Sequence, residues 1–345
     1  MCTGIRFSDT MGAMYFGRNL DWSTSYGETP VVTPRNYRRH WAFESRSDKT
    51  RSSEDAGNAS QRKADAGESC KHAIVGMGVI ADNLPLYFDC ANEAGLAIAG
   101  LNFPGYARYE DAPQPGKINV AAYEFPLWVA STFESVDEAE RTLGDVAIVA
   151  KPVNDRFGVS LLHWIIGDGA RSITVEYTTA GMQVYRNDVD VLANQPDFAW
   201  HCENLRNYLS ANNDYPKPVR WRSAELSAWG SGSGMRGIPG DYYSPSRFVR
   251  AAYLNANYPA QDSEAENVLR LFHTLGGVSM IEGAALMETG FFEKTIYTGG
   301  YSAKTRSYYF NTYDDPAIKY VSLADLDANG SELLVPEPKL WPALA

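Results

Sequence analysis

Strand-length apolar runs in this chain come in neighbouring pairs joined by tight turns, and that pairing constrains the fold more than any other feature. Cys2–Phe7 and Ala13–Arg18 flank the turn Ser8-Asp9-Thr10-Met11-Gly12. Ser160–Ile166 and Ser172–Tyr177 are joined across Gly167-Asp168-Gly169, and Met182–Arg186 follows. Such pairs form antiparallel hairpins, because a parallel pair needs a crossover of about a dozen residues or more. Ala73–Ile80 and Leu96–Asn102 add strands around the turn Asn92-Glu93-Ala94-Gly95, and late strands are expected at Thr295–Thr298 and Ser307–Tyr313.

Helical spacing is grouped instead of alternating with the strands. It occupies Ala122–Thr132, where Pro126 either kinks the helix or opens its first turn. Ser135-Val136-Asp137-Glu138 and Ser263-Glu264-Ala265-Glu266 are expected to open helices as capping boxes, and Ser244 to cap Pro245–Asn257. Strands in hairpins, then helices, then strands predict an α+β fold with antiparallel sheets.

From Ser45 to Lys71 the chain is rich in Ser, Asp, Lys and Ala, with no large apolar residue between Phe43 and Ile74. A stretch of that composition cannot repay its ordering entropy by burial, so a mobile polar loop is expected at about 45–71. Gly230-Ser231-Gly232-Ser233-Gly234 lacks the Lys-Ser/Thr ending of a phosphate cradle and is expected to be a flexible loop.

Composition excludes several function classes. The longest apolar runs, Leu161–Ile166 and Val146–Ala150, fall far short of the ~20 residues a bilayer span needs. The first residues lack a basic segment followed by an apolar one, so no membrane partner and a cytoplasmic location are expected. A formal net charge of −11 leaves no excess of Lys and Arg for phosphates, which argues against nucleic acid. Cys2, Cys70, Cys90 and Cys202 are widely spaced, and the five histidines form no HExxH or His/Cys grouping. No metal and no cofactor are expected.

Cys2 stands directly behind the initiator methionine. Loss of Met1 would leave a thiol and a free α-amine on one residue. An α-amine has a pKa of about 7.7–8.0, so near neutral pH a useful fraction can accept the thiol proton. One residue then supplies both nucleophile and base. Such a centre needs a cation to favour thiolate, an acceptor that orients the amine, and donors facing the developing oxyanion. The hairpin brings Arg18 and Asp21, at the end of its second strand, back beside residue 2. Taken locally, these two could equally be a surface ion pair, and Asn102, Asn194 and Arg247 ordinary turn or first-turn residues.

Taken together, Met1-Cys2-Thr3-Gly4, Phe16-Gly17-Arg18-Asn19-Leu20-Asp21, Asn92-Glu93-Ala94-Gly95-Leu96, Gly100-Leu101-Asn102-Phe103-Pro104 and Pro245-Ser246-Arg247-Phe248 resemble the choloylglycine hydrolase family. That family comprises bile salt hydrolases and penicillin V acylases within the N-terminal nucleophile hydrolases. The resemblance runs over nearly the whole chain, implying a single domain over 1–345; the stretch at Ser45–Lys71 looks longer than the family's. It implies a four-layer αββα sandwich, two antiparallel sheets flanked by helices, and a homotetramer.

By the same resemblance Cys2 is the nucleophile, Arg18 the cation beside it, and Asp21 the carboxylate that binds the amine. Asn102 and Asn194 resemble the oxyanion-hole residues, and Arg247 the arginine completing the polar network. The implied reaction is hydrolysis of the amide joining a bile acid to glycine or taurine, through a Cys2 thioester. Asn at position 102 favours this over penicillin V cleavage, where the family commonly has Tyr. Leu20, Trp22, Leu127, Val129 and Phe133 are candidate walls for an apolar steroid. A penicillin V acylase or other N-acyl amide hydrolase is the alternative. A non-hydrolytic steroid or lipid binder is a third reading, which loss of Cys2, Arg18 or Asp21 would have favoured; all three are present.

Overall fold

The computed structural model describes residues 1–43, 68–155 and 157–342. The expected loop at 45–71 lies for the most part outside the described residues. At its end Glu68–Ser69 pairs with Arg38–Arg39, and Cys70 is buried.

Two seven-stranded sheets dominate. The strands that build them are, in chain order, β1 (Cys2–Ser8), β2 (Met14–Trp22), β3 (Thr29–Thr33), β4 (Ile74–Ala81), β5 (Leu84–Asn92), β6 (Ala97–Asn102) and β7 (Leu162–Gly167). There follow β8 (Ser172–Thr178), β9 (Gly181–Arg186), β10 (Val191–Leu192), β11 (Lys294–Ser302), β12 (Ser307–Thr312), β13 (Lys319–Ser322) and β14 (Lys339–Leu340). The first sheet runs β10-β1-β2-β11-β12-β13-β14 and the second β9-β8-β7-β6-β5-β4-β3. Every pairing within them is antiparallel. This is the α+β architecture that the hairpin pattern predicts.

The sheets pack face to face and helices cover the outer faces. Helix α1 (Phe125–Thr132) lies on β5 and β6, and α2 (Val136–Leu143) reaches β9. A short helix, α3 (Phe198–Asn204), leads to α4 (Ser244–Asn257) on β1 and α5 (Glu264–Gly276) on β2 and β11. The result is the four-layer αββα sandwich. One core cluster, with Ile5, Phe16, Leu101, Ile165 and Leu271, fills the space between the sheets and beneath α4 and α5. A second, with Ile98, Phe125, Trp128 and Trp164, lies between the second sheet and α1.

Local details follow the side chains. Pro126 falls in the first turn of α1, where a missing N–H costs nothing. Ser263 and Glu266 form the full capping box. Ser135 makes only half of one: it accepts from the Glu138 N–H at 3.3 Å, while Glu138 accepts from the Glu134 N–H. Ser244 does not cap α4; its hydroxyl accepts from the Asn194 N–H at 2.9 Å. Strand β11 is longer than expected because Gly299 and Gly300 continue it. A Cβ on Gly300 would lie 2.7 Å from both methyls of Leu271, so the bare backbone is what lets α5 seat on the sheet.

Candidate active site

Register places the chemistry at one end of the sandwich. Cys2 pairs with Leu20, Gly4 with Arg18, and Asp21 with Thr295, while Asn102 closes β6 opposite Leu162. Asn194 follows β10, the neighbour of β1, and Arg247 sits in the first turn of α4. Residues more than two hundred positions apart thus share one buried cluster in which Cys2 is 3% exposed.

Arg18 reaches from the first sheet to the second. Its Nη2 donates to Cys2 Sγ at 2.6 Å, and its Nη1 to the carbonyls of Gly100 at 2.8 Å and Phe88 at 3.2 Å. Phe88 is the extra residue of a bulge in β5, which takes its carbonyl out of the ladder. Burial works against the charge of Arg18, but Cys2, Tyr297, Asp89 and Asp21 outweigh it and raise its pKa above the ordinary value. Asp89 is buried and accepts from the hydroxyls of Tyr297 and Tyr308. Burial raises the pKa of Asp89, with Arg18 and the two hydroxyls opposing.

Met1 is in place. Its amino group donates to the Asp21 carbonyl at 2.6 Å and pairs with the buried Glu293 carboxylate. Burial lowers the pKa of that amine, against the pull of Cys2 and Asp21. The Cys2 N–H donates to Asn194 Oδ1 at 2.7 Å. Asp21 Oδ1 accepts from Thr295 Oγ1 at 2.6 Å, while Oδ2 is buried without a hydrogen-bond partner, 3.9 Å from Arg247 Nη1.

Arg247 is fully buried and ties the remaining pieces together. It donates to the Cys2 carbonyl at 2.5 Å, Thr3 Oγ1 at 2.6 Å and Asn194 Oδ1 at 2.7 Å. Because that oxygen also takes the Cys2 N–H, the Asn194 amide is fixed with its NH2 pointing away, donating to the Asn102 carbonyl at 2.7 Å. Burial lowers the pKa of Arg247, opposed by Asp21 and Cys2.

A cavity of about 490 Å³ opens above the sulfur, mostly apolar in lining. Cys2, Arg18, Leu20, Asp21, Trp22 and Asn102 line it. All six residues expected at the centre are therefore brought together, along with the wall residues Leu20 and Trp22. Leu127, Val129 and Phe133 are a correction: they are buried in the core beneath α1, and from that helix's first turn Pro126 faces the cavity instead. The helix is apolar all round because it is buried all round, so its composition carried no signal of a ligand face. Sequence reasoning missed Ser244, Asp89, Thr295, Tyr26 and the 157–162 segment of the cavity wall; among these, only the Ser244-Pro245 pairing beside Arg247 offered a cue.

The family of linear amide C–N hydrolases called choloylglycine hydrolases matches residues 2–336. A bile salt hydrolase/transferase of Bifidobacterium longum is 55% identical over 334 residues, covering 97% of this chain and 99% of the relative. A conjugated bile acid hydrolase of Lactobacillus acidophilus is 42% identical over 335 residues, with coverage of 97% and 99%. The solved structure of a mutant conjugated bile acid hydrolase from Clostridium perfringens superimposes with a TM-score of 0.85 at 31% identity, covering 98% of this chain and 97% of that one. Penicillin V acylase from Agrobacterium tumefaciens, at 20% identity and a TM-score of 0.72 over 96% and 90% of the two chains, shares the fold.

Proposed function

This chain belongs to the choloylglycine hydrolase family of linear amide C–N hydrolases, and from that premise we propose that it hydrolyses the amide joining a bile acid to glycine or taurine. The observation that carries the reading is Arg18 Nη2 at 2.6 Å from Cys2 Sγ on the floor of an apolar cavity.

In this mechanism Met1 is first removed, which converts the Cys2 amide nitrogen into an amine beside Asn194 Oδ1, with Asp21 as the carboxylate that binds it. The amine takes the thiol proton, and the sulfur, partnered by Arg18, attacks the amide carbon. The amide oxygen becomes an oxyanion, received by the second N–H of the Asn194 side chain and the side chain of Asn102. The amine then returns its proton to the departing nitrogen, leaving a thioester. Water, losing its proton to the same amine, attacks the thioester; the carbon–sulfur bond breaks, the bile acid leaves and the amine returns its proton to the sulfur. Arg247 touches no substrate in this scheme; it holds the Cys2 carbonyl, Thr3 and Asn194 in register.

Assembly as a homotetramer is part of the proposal. The hairpin Val219–Trp221/Ala224–Leu226 stands out with Trp221 exposed and Trp229 close by and fully exposed, apolar surface of the kind that subunit contacts cover.

Intact mass combined with a release assay tests the reading. Glycocholate, taurocholate and penicillin V are compared, with Cys2→Ala as control. The expected result is a mature mass lacking Met1, amino acid release from both conjugates, little penicillin turnover and none from the control. Full turnover with Met1 retained would overturn it. Faster penicillin V cleavage would reassign the substrate. Added free amino acid tests whether an amine can capture the thioester in place of water.

A further inference from the structure

Asn194 lies just beyond a two-residue strand, so no ladder of backbone bonds fixes its aim. Its neighbourhood instead contains two buried histidines that the mechanism does not use. His163 Nε2 lies 2.7 Å from the Ala193 carbonyl oxygen, and His201 Nε2 lies 2.9 Å from the Asn194 carbonyl oxygen. A carbonyl only accepts, so in each ring Nε2 must carry the hydrogen.

The second nitrogens differ. His201 Nδ1 is buried without a partner, which suits a neutral ring, and burial pushes the pKa of His201 down to about 4. His163 Nδ1 faces Glu176 Oε1 at 3.1 Å, and that same oxygen accepts the Phe198 N–H at 3.0 Å. A bare Nδ1 against a bare carboxylate oxygen would be repulsive, so a proton lies between them, on one or the other. Both residues are fully buried, and Phe103 stacks on His163 with centroids 4.1 Å apart. The titratable and charged groups around His201 are His163 from β7, Arg247 from α4 and Asp197 at the cap of α3.

We propose that His163 and His201 are positioning residues for Asn194. Each donates Nε2–H to one of two successive carbonyls, and the proton shared with Glu176 keeps His163 in the donating tautomer. With the Ser244 hydroxyl on the Asn194 N–H, the segment is gripped on three sides. An oxyanion donor has to sit within hydrogen-bond range of an atom that exists only in the transition state, and a small misplacement there is costly. The inference rests on the reading of Asn194 as an oxyanion donor.

His201→Phe keeps the stack on Phe248 but removes the N–H. It is expected to lower kcat about tenfold with KM changed less than about twofold, since the loss falls on the transition state. His201→Gln, which restores a donor, should recover most of that loss. In an Asn194→Ala background His201→Phe should cost nothing further, because a residue acting through Asn194 has nothing left to act on. Nitrogen NMR of histidine-labelled, unmodified enzyme provides a reading independent of any variant: Nε2 should carry hydrogen in both buried rings. An unchanged kcat in His201→Phe, losses that multiply with Asn194→Ala, or a bare Nε2 in either ring would overturn the proposal. A fully active Asn194→Ala would instead remove the oxyanion reading on which it stands.

Discussion

Arg18 has no carboxylate within ion-pair distance among the described residues; its donors go to a sulfur and to backbone carbonyls. That forked set of acceptors suits a planar guanidinium and no other cation. Arg18→Lys preserves charge but cannot span the two sheets and the sulfur at once, so kcat should fall at least about tenfold with the fold intact by circular dichroism. Asn194→Ala removes an oxyanion donor and should reduce kcat by about 10²–10³ without unfolding the protein. Hairpin topology brought Arg18 and Asp21 beside Cys2, but only the resemblance to the family singled out Asn102, Asn194 and Arg247, whose local chemistry is that of ordinary turn and helix-start residues. Asp89 and Thr295 were not legible. Each owes its place to a bulge, in β5 and β11 respectively, and a bulge leaves no periodic trace in sequence.

Elements obeyed the same division. Hairpins, the Ser263 capping box and the amphipathic α5 were readable because local chemistry determines them, whereas the Ser244 hydroxyl is taken from its expected cap by the Asn194 N–H. The wall residues expected on α1 were not, since a helix buried on every side presents no face to read. Gly299 and Gly300 cut the apolar pattern of β11 short in sequence, yet Gly300 is where α5 meets the sheet and Gly299 is where Tyr308 crosses it on the other face. Gly300→Ala should cost about 1–3 kcal/mol by overpacking against Leu271. The double variant with Leu271→Ala should cost less than the sum of the singles, measured by urea unfolding.

Two buried groups, one at the start of α1 and one within α3, give opposite pH dependences. Glu124, at the start of α1, accepts from the Ala42 and Ala121 N–H groups, but burial outweighs these bonds and the pull of Lys151 and raises its pKa from 4.5 to about 7. It binds its proton more tightly folded than unfolded, so its contribution is whole below pH 4.5 and lost as pH rises to about 7. His201 is shifted from 6.5 to about 4, so its contribution is present above pH 6.5 and lost as pH falls toward 4. Relative to wild type, Glu124→Gln should therefore gain stability as pH rises through the first window. His201→Gln should lose stability, relative to wild type, as pH rises through the second. Denaturant midpoints across pH 4–7.5 read both slopes.

At the scale of the whole molecule, a net charge of −11 opposes the approach of an anionic bile conjugate. Added salt screens that repulsion, so kcat/KM for taurocholate, held below its micelle concentration, should rise by about twofold between 0.01 and 0.15 M ionic strength. A flat or falling profile would mean that Arg18 in the cavity wall dominates the encounter. Finally, the amino group of Met1 is gripped by Glu293 and the Asp21 carbonyl, one residue ahead of the nucleophile. Whoever attaches a purification handle, a reporter or a resin linker ahead of residue 2 would plug the catalyst with it. Such cargo belongs at the opposite terminus, beyond the exposed Leu340 of the last strand.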